Sequence, residues 1–409
     1  MLRTVPFWLD RFPKSRRPSY PTLRGQLDAD VVIVGGGLTG CACAAWFAAS
    51  GIRTVLLESD RIGAGTTAAA LGVVREGFDG SFQQHATTYG LRAARMMWQS
   101  MRRASLDFAA ALRRYDIRCD LTAQDLLHVA PRDGDAIRRL RKEYDSRRQA
   151  GFDHSWLTSA ALARETAIER GGAAIRTRGF VVDPFRASLG LAAAAAERKN
   201  TQLFERTPVK RIRATRKRVD VMTAKGIVQA QAVVIATAAP LPDLRALRRH
   251  LRPRHSFAVV TETLPAAVRR QLGTRAAAMR DSVLPPHFLR WMKEDRVLFS
   301  GADLDPIPER ARAKTLVQRS GQLMYELSTA YPAISGAMPE WAWDFGYYET
   351  VDGLPYIGLH RNFPRHLFAL GHAHHGAGVA WLAARVLLRA FQGTPEKGDD
   401  LLGFSRILK

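Results

Sequence analysis

Val31-Val32-Ile33-Val34-Gly35-Gly36-Gly37-Leu38-Thr39-Gly40 decides how the rest of the chain is read. Four consecutive apolar residues, three of them valine, predict a short strand buried on both faces of a parallel sheet. The glycines after it fit G-x-G-x-x-G, and Cys41 to Ser50 continues as an Ala-rich helix that Gly51 can stop. In such a loop Gly35 permits the tight turn, Gly37 lets the backbone approach a pyrophosphate, and Gly40 lets the helix pack closely on the strand. The helix start at Leu38 and Thr39 then offers unpaired N–H groups and a partial positive charge to the phosphates.

Thr54-Val55-Leu56-Leu57 reads as the next strand and ends on Glu58, placed to accept hydrogen bonds from an adenosine ribose and to repel a 2′-phosphate. Ser59 and Arg61 stand beside it as further cofactor contacts. The glycine loop alone leaves NAD and FAD open, and the following stretch separates them. Arg61 to Gly72 is rich in glycine and hydroxyl residues, with Gly65, Thr66, Thr67, Leu71 and Gly72 available. A cofactor with a long ribityl chain and a flavin ring needs such additional backbone and hydroxyl contacts.

Working outward, 409 residues with 46% hydrophobic and 24% charged composition describe an ordinary globular chain without repeats or low-complexity tracts. No run approaches 18 apolar residues and the N-terminal stretch lacks a signal-peptide core, so the expectation is a cytoplasmic protein with no membrane span. Cys41, Cys43 and Cys119 are too few for a disulfide framework and read as buried small residues. The 61 Lys and Arg against 38 Asp and Glu give +23, spread over stretches such as 138–142, 210–218 and 245–254. Without a recognition motif this reads as an Arg-rich surface with a preference for anionic substrates, and nucleic acid is an unlikely partner.

At this point the sequence resembles the glycine oxidase, D-amino-acid oxidase and sarcosine oxidase family of FAD enzymes. Three segments carry the likeness: 30–72; 179–240; and 350–378, with Asp352-Gly353-Leu354-Pro355 followed by Gly371-His372-Ala373-His374-His375-Gly376-Ala377-Gly378. The resemblance implies a strand at Thr207-Pro208-Val209 whose backbone meets the adenine, and cofactor contacts at Thr237, Gly353, Gly371, His372, Gly376, Ala377 and Gly378. Ala238 stands where the family usually has glycine, and no cysteine follows Cys119, so FAD is expected to bind noncovalently. The implied fold is α/β: a Rossmann-like, glutathione-reductase-like FAD-binding domain (1–88, 178–243 and 346–409). Interleaved with it is an α+β substrate domain (89–177 and 244–345) built on an antiparallel sheet.

Bottom-up signals agree with this frame. Val379, Leu382, Ala383, Val386, Leu387 and Ala390 recur at helical spacing until Gly393 and Pro395, and the glycine-opened start of that helix would stabilise a reduced flavin's charge. Asp183-Pro184 reads as an N-cap followed by a first-turn proline. In the resembled family a hydride passes from an amine-bearing carbon to flavin N5 and the imine hydrolyses, so the expected function is oxidation of a small amine or amino acid. Oxygen or another carrier would reoxidise the flavin. A 2-hydroxy acid or polyol phosphate dehydrogenase is the alternative, and a tRNA-modifying flavoprotein a distant one. Arg290 is expected to hold a substrate carboxylate. Tyr348, His374 and His375 are further candidates at the reacting centre, and no metal site is expected.

Overall fold

The computed structural model describes residues 2–237, 240–273, 277–372 and 376–408. The quoted stretch forms a strand, Val31–Val34, in the middle of a six-stranded sheet. Its side chains alternate between two packed faces, Val31 and Ile33 on one and Val32 and Val34 on the other. That double burial is why all four positions are apolar. Thr54–Leu57 and Thr201–Phe204 extend the sheet on one side, and Ala232–Ile235 and Phe363–Leu370 on the other, all parallel. Tyr356–His360 closes the edge antiparallel.

Helices Leu38–Ala49, Pro184–Ala196 and Gly376–Gln392 cover one face and share its core. Asp183 caps the second through its carboxylate, which accepts the Arg186 N–H at 2.9 Å, and Pro184 opens it as expected. The opposite face is covered by a four-stranded sheet absent from the sequence reading, ordered Gly25–Asp28, Gly226–Ala230, Val219–Thr223 and Val209–Ala214.

A nine-stranded sheet forms the second layer system. Its path runs Pro339–Glu349, Arg252–Thr261, Val297–Leu304, Phe288–Trp291, Ala277–Asp281, Thr122–Pro131, Gly171–Val181 and Val73–Val74, and the ninth strand, Ser155–Thr158, pairs with Gly171–Val181 off this path. It is antiparallel except where Ala277–Asp281 runs parallel to Thr122–Pro131. The expected antiparallel sheet is thus present with one parallel pair, whose two strands lie far apart in sequence so that helices and other strands supply the crossover. The expected boundaries near 177 and 345 fall inside Gly171–Val181 and Pro339–Glu349, strands of this sheet. Leu91–Arg114 packs on Gly376–Gln392, and Glu309–Ala330 lies over the far face. Among the described residues no helix is long and apolar enough to cross a membrane.

Candidate active site

A channel runs from the glycine loop to the start of helix Gly376–Gln392, lined by residues from both ends of the chain. Gly35 holds φ at +105°, and a Cβ there would lie 2.8 Å from the Ala236 carbonyl oxygen. At Gly40 a Cβ would lie 1.8 Å from the Gly35 oxygen, so helix and loop touch only because neither residue has a side chain. Thr67 Oγ1 accepts the Leu38 N–H at 2.9 Å, tying the second glycine-rich stretch to the first. Gly37, at the N-cap, has no side chain to cap this helix and Thr67 takes only the Leu38 N–H, which leaves the other N–H groups of the first turn at the channel for a phosphate.

Glu58 accepts the N–H of Gly36 at 2.6 Å and of Asp60 at 2.8 Å, with Ser59 Oγ at 3.0 Å. Beside it Arg61 is committed to Glu205 at 2.8 Å. Glu205, which no sequence signal marked, also accepts the Ile62 N–H at 2.9 Å and so fixes the turn after Glu58. Thr207 donates its N–H to the Glu58 carbonyl at 2.8 Å, which brings the start of strand Val209–Ala214 to the same end of the site.

The other wall is formed by Phe345, Gly346, Tyr347, Tyr348, Thr237, Gly371, His372, Gly376 and Ala377. The aromatic residues Trp341, Trp343, Phe345 and Tyr347 are all buried, core first and channel wall second. Burial and the adjacent Asp303 push the Tyr347 phenol up, and its hydroxyl donates to Asp303 at 2.6 Å. His372 Nδ1 shares a hydrogen bond with Thr39 Oγ1 at 3.2 Å, while Nε2 is sealed from solvent without a partner. Burial lowers its pKa to about 4, so the ring stays neutral.

The N–H groups of Leu71 and Gly72 are likewise buried and lack a partner among the described residues. Orphaned donors of this kind are rare in folded proteins. With the glycine cradle and the open helix N-terminus they match the phosphate and flavin acceptors of a long dinucleotide such as FAD, and the Glu58 carboxylate suits its ribose hydroxyl donors.

Val73 is shared with a second cavity of about 490 Å³. Phe78, Trp98, Met279 and Phe288 give it apolar walls, and Arg75, Arg280, Arg147 and His128 line it with cationic or polar groups. Arg75 pairs with the Asp79 carboxylate, and burial lowers its pKa to about 10. Arg280 reaches the Asp79 carbonyl at 3.3 and 3.4 Å and lies over the Phe288 ring, its pKa lowered by burial. The Nε atoms of both arginines are buried without a hydrogen-bond partner. His128, hydrogen-bonded to Ser282 Oγ at 3.1 Å, is held well below its usual pKa by burial and the neighbouring arginines.

Arg147, like Arg75, is paired with a carboxylate: Glu143 meets it at 2.6 Å while accepting the N–H groups of Phe82 and Gln83 at 2.8 and 2.9 Å. Sequence reading passed over Arg75 and Arg280; only the pairing of Ala277–Asp281 with Thr122–Pro131 and of Val73–Val74 with Gly171–Val181 brings them together.

Several expected site residues sit elsewhere. Arg290 lines neither cavity: its guanidinium is turned inward onto the carbonyls of Leu71, Gly72 and Val182 at 2.9 to 3.0 Å, so it has no face for a substrate. Gly353, with φ +70°, abuts Gly80, where a Cβ would lie 2.4 Å from the backbone nitrogen, and not the channel. Its neighbour Asp352 takes Tyr89 Oη at 2.6 Å and Arg406 Nε at 2.8 Å, an internal tie. Gly378 makes room for Met101 and Ser105 of the long helix. His374, His375 and Ala238 lie outside the described residues.

The sequence matches the family described as FAD dependent oxidoreductase over residues 30–390. It is 26% identical to gamma-glutamylputrescine oxidoreductase of Escherichia coli (strain K12), covering 93% of this chain and 87% of that protein. It is 23% identical to glycine oxidase of Bacillus licheniformis, covering 92% and 96%. The solved structure of glycine oxidase from Geobacillus kaustophilus shares the fold at a TM-score of 0.73 and 21% identity, covering 91% and 96%. A family match across most of the sequence, on a chain whose glycine cradle and orphaned donors suit the cofactor, assigns it: the chain belongs to the FAD dependent oxidoreductases.

Proposed function

We propose that this enzyme oxidises a small amine or amino acid bearing a carboxylate, held in the 490 Å³ cavity beside the FAD channel. The observation that carries the reading is the Arg75 and Arg280 pair lining that cavity, with buried Nε–H groups that lack partners among the described residues, while Val73 joins the cavity to the channel. Buried donors on a charged group call for an acceptor, and a carboxylate suits a guanidinium better than any neutral ligand.

When bound, FAD would supply a two-electron hydride acceptor for the amine-bearing carbon, and the resulting imine would be hydrolysed by water. The chain's own residues orient and shield. Arg75 and Arg280 fix the carboxylate end, Phe78, Trp98 and Phe288 exclude water, and neutral His128 adds a hydrogen-bonding group without a further charge. The relatives' named activities on amine compounds support the amine over a hydroxy acid.

Within this reading residues 1–88, 178–243 and 346–409 hold FAD noncovalently, residues 89–177 and 244–345 build the substrate side, and Tyr348 walls the channel. Three buried thiols support a reducing, cytoplasmic setting. The test is anaerobic bleaching of the flavin by matched amines with and without a carboxylate, and by 2-hydroxy acids. Carboxylated amines should bleach fastest. Equal rates without the carboxylate, or bleaching by hydroxy acids alone, would sink the proposal.

A further inference from the structure

The turn between helix Thr66–Ala69 and strand Val73–Val74 is held in an unusual way. Four consecutive carbonyls each receive a side-chain donor from a remote part of the chain. Trp343 Nε1 donates to Ala69 at 3.1 Å and Trp8 Nε1 to Ala70 at 2.8 Å. Arg290 Nη1 donates to Leu71 at 2.9 Å, to Gly72 at 3.0 Å and across to Val182 at 2.9 Å. The Trp8 indole also lies 5.0 Å beneath the Arg290 guanidinium, so two of the three donors brace each other. All three side chains are buried.

Because a peptide unit is planar, a carbonyl fixed in one direction fixes the next N–H in the opposite one. The carbonyls of Ala70 and Leu71 point at Trp8 and Arg290; the N–H groups of Leu71 and Gly72 therefore point away from them, and those are the two buried donors without a partner. Ala70, Gly72 and Val73 line the cofactor channel, whereas Trp8 and Arg290 do not. Gly72 is required for the arrangement: its φ is +68°, and a Cβ would lie 2.6 Å from Arg290 Nη1 and 2.1 Å from the Val182 oxygen.

We propose that Trp8, Arg290 and Trp343 are positioning residues that clamp the outer side of Ala69–Gly72 so that the N–H groups of Leu71 and Gly72 are presented to FAD. Trp8 belongs to a short helix, Phe7–Arg11, ahead of the 30–390 family match, so a segment outside that match joins the cofactor machinery. That helix is itself pinned to the aromatic strand: Phe7 meets Trp341 edge-on at 4.9 Å, and Asp10 accepts the Trp341 N–H at 3.0 Å. The inference depends on the cofactor channel and is independent of which substrate is oxidised.

The mildest probe is Trp8→Phe, which keeps a ring under Arg290 and removes only the donor to Ala70. An unmet buried carbonyl makes the turn relax without cofactor, and FAD must restore it on binding. The dissociation constant for FAD should rise roughly five- to tenfold, the scale of one lost hydrogen bond, with a changed visible circular dichroism band of the bound flavin. Arg290→Met should do more, and Arg290→Lys should recover part of the loss, since an ammonium donates but lacks the planar guanidinium that lies over Trp8. Trp46→Phe is the control, because the Trp46 Nε1 has no partner to lose; it should leave both readouts unchanged.

If Trp8→Phe lowers the melting temperature of the apoprotein while FAD affinity stays within twofold and the flavin spectrum is unaltered, the clamp serves only the fold and the proposal is overturned. Should Arg290→Met yield no soluble protein, Trp8→Phe decides by itself.

Discussion

Arg280 and Arg290 stand ten positions apart on neighbouring strands of one sheet and do opposite work. Arg290 turns Nη1 onto three carbonyls and lines neither cavity, whereas Arg280 lines the 490 Å³ cavity. Arg280→Met should therefore raise KM for a carboxylated amine by roughly 10- to 100-fold, the range of a hydrogen bond to a charged group, with a smaller change in kcat. Steady-state kinetics on matched substrates checks this; an unchanged KM would remove Arg280 from the binding role. In the sequence Arg290 looked the better candidate because it follows Pro-His-Phe-Leu, yet nothing in a linear string tells which arginine will find carbonyls waiting. Gly40 was legible for the reverse reason. Its role depends on a contact with Gly35 only five positions away, and local contacts are what spacing encodes.

At the scale of elements, the segment from Asp281 to His287 joins two strands beside the 490 Å³ cavity. Burial alone would lower the pKa of His287. The carboxylates of Asp281 at 2.7 Å and Glu326 at 3.0 Å overcome it and hold the imidazolium up to about 10. A raised folded-state pKa gives stability that is complete below the ordinary value of 6.5 and gone above about 10. The melting temperature of His287→Gln should thus lie furthest below that of the unaltered protein near pH 6, with the gap closing as the pH rises to 10. A gap that widens with pH would refute the assignment.

The βαβ unit, the capped helix at Asp183 and the helix ended by Gly393 were all readable, because period, caps and stops are written within a dozen residues. The four-stranded sheet was not. Its strands Val209–Ala214, Val219–Thr223 and Gly226–Ala230 carry many charged and polar residues, so alternation is weak, and Gly25–Asp28 joins them only through a parallel pairing with Gly226–Ala230.

Across the whole molecule the +23 charge is placed with some purpose. Val209–Ala214 is the outer strand of its sheet, and Lys210, Arg211 and Arg213 are exposed along it. Like charges on an edge strand oppose pairing with a second copy. Replacing all three by threonine should promote self-association, visible by light scattering, and 0.5 M salt should produce part of the same effect in the unaltered protein by screening. FAD should also raise the melting temperature, because a ligand at about 100 times its Kd stabilises by about 2.7 kcal/mol. A variant with Gly40→Ala, where the new Cβ has no room, should lose that cofactor-dependent gain.

The channel itself sets an order of events. One wall is made of Gly37, Thr67 and Gly72, the other of Tyr348, Gly371 and Gly376. A chain emerging from the ribosome presents the phosphate cradle well before the facing wall. Loading of the flavin thus waits until both walls have been made, and the chain passes first through an apo form whose lifetime depends on how much free FAD the cell keeps at hand.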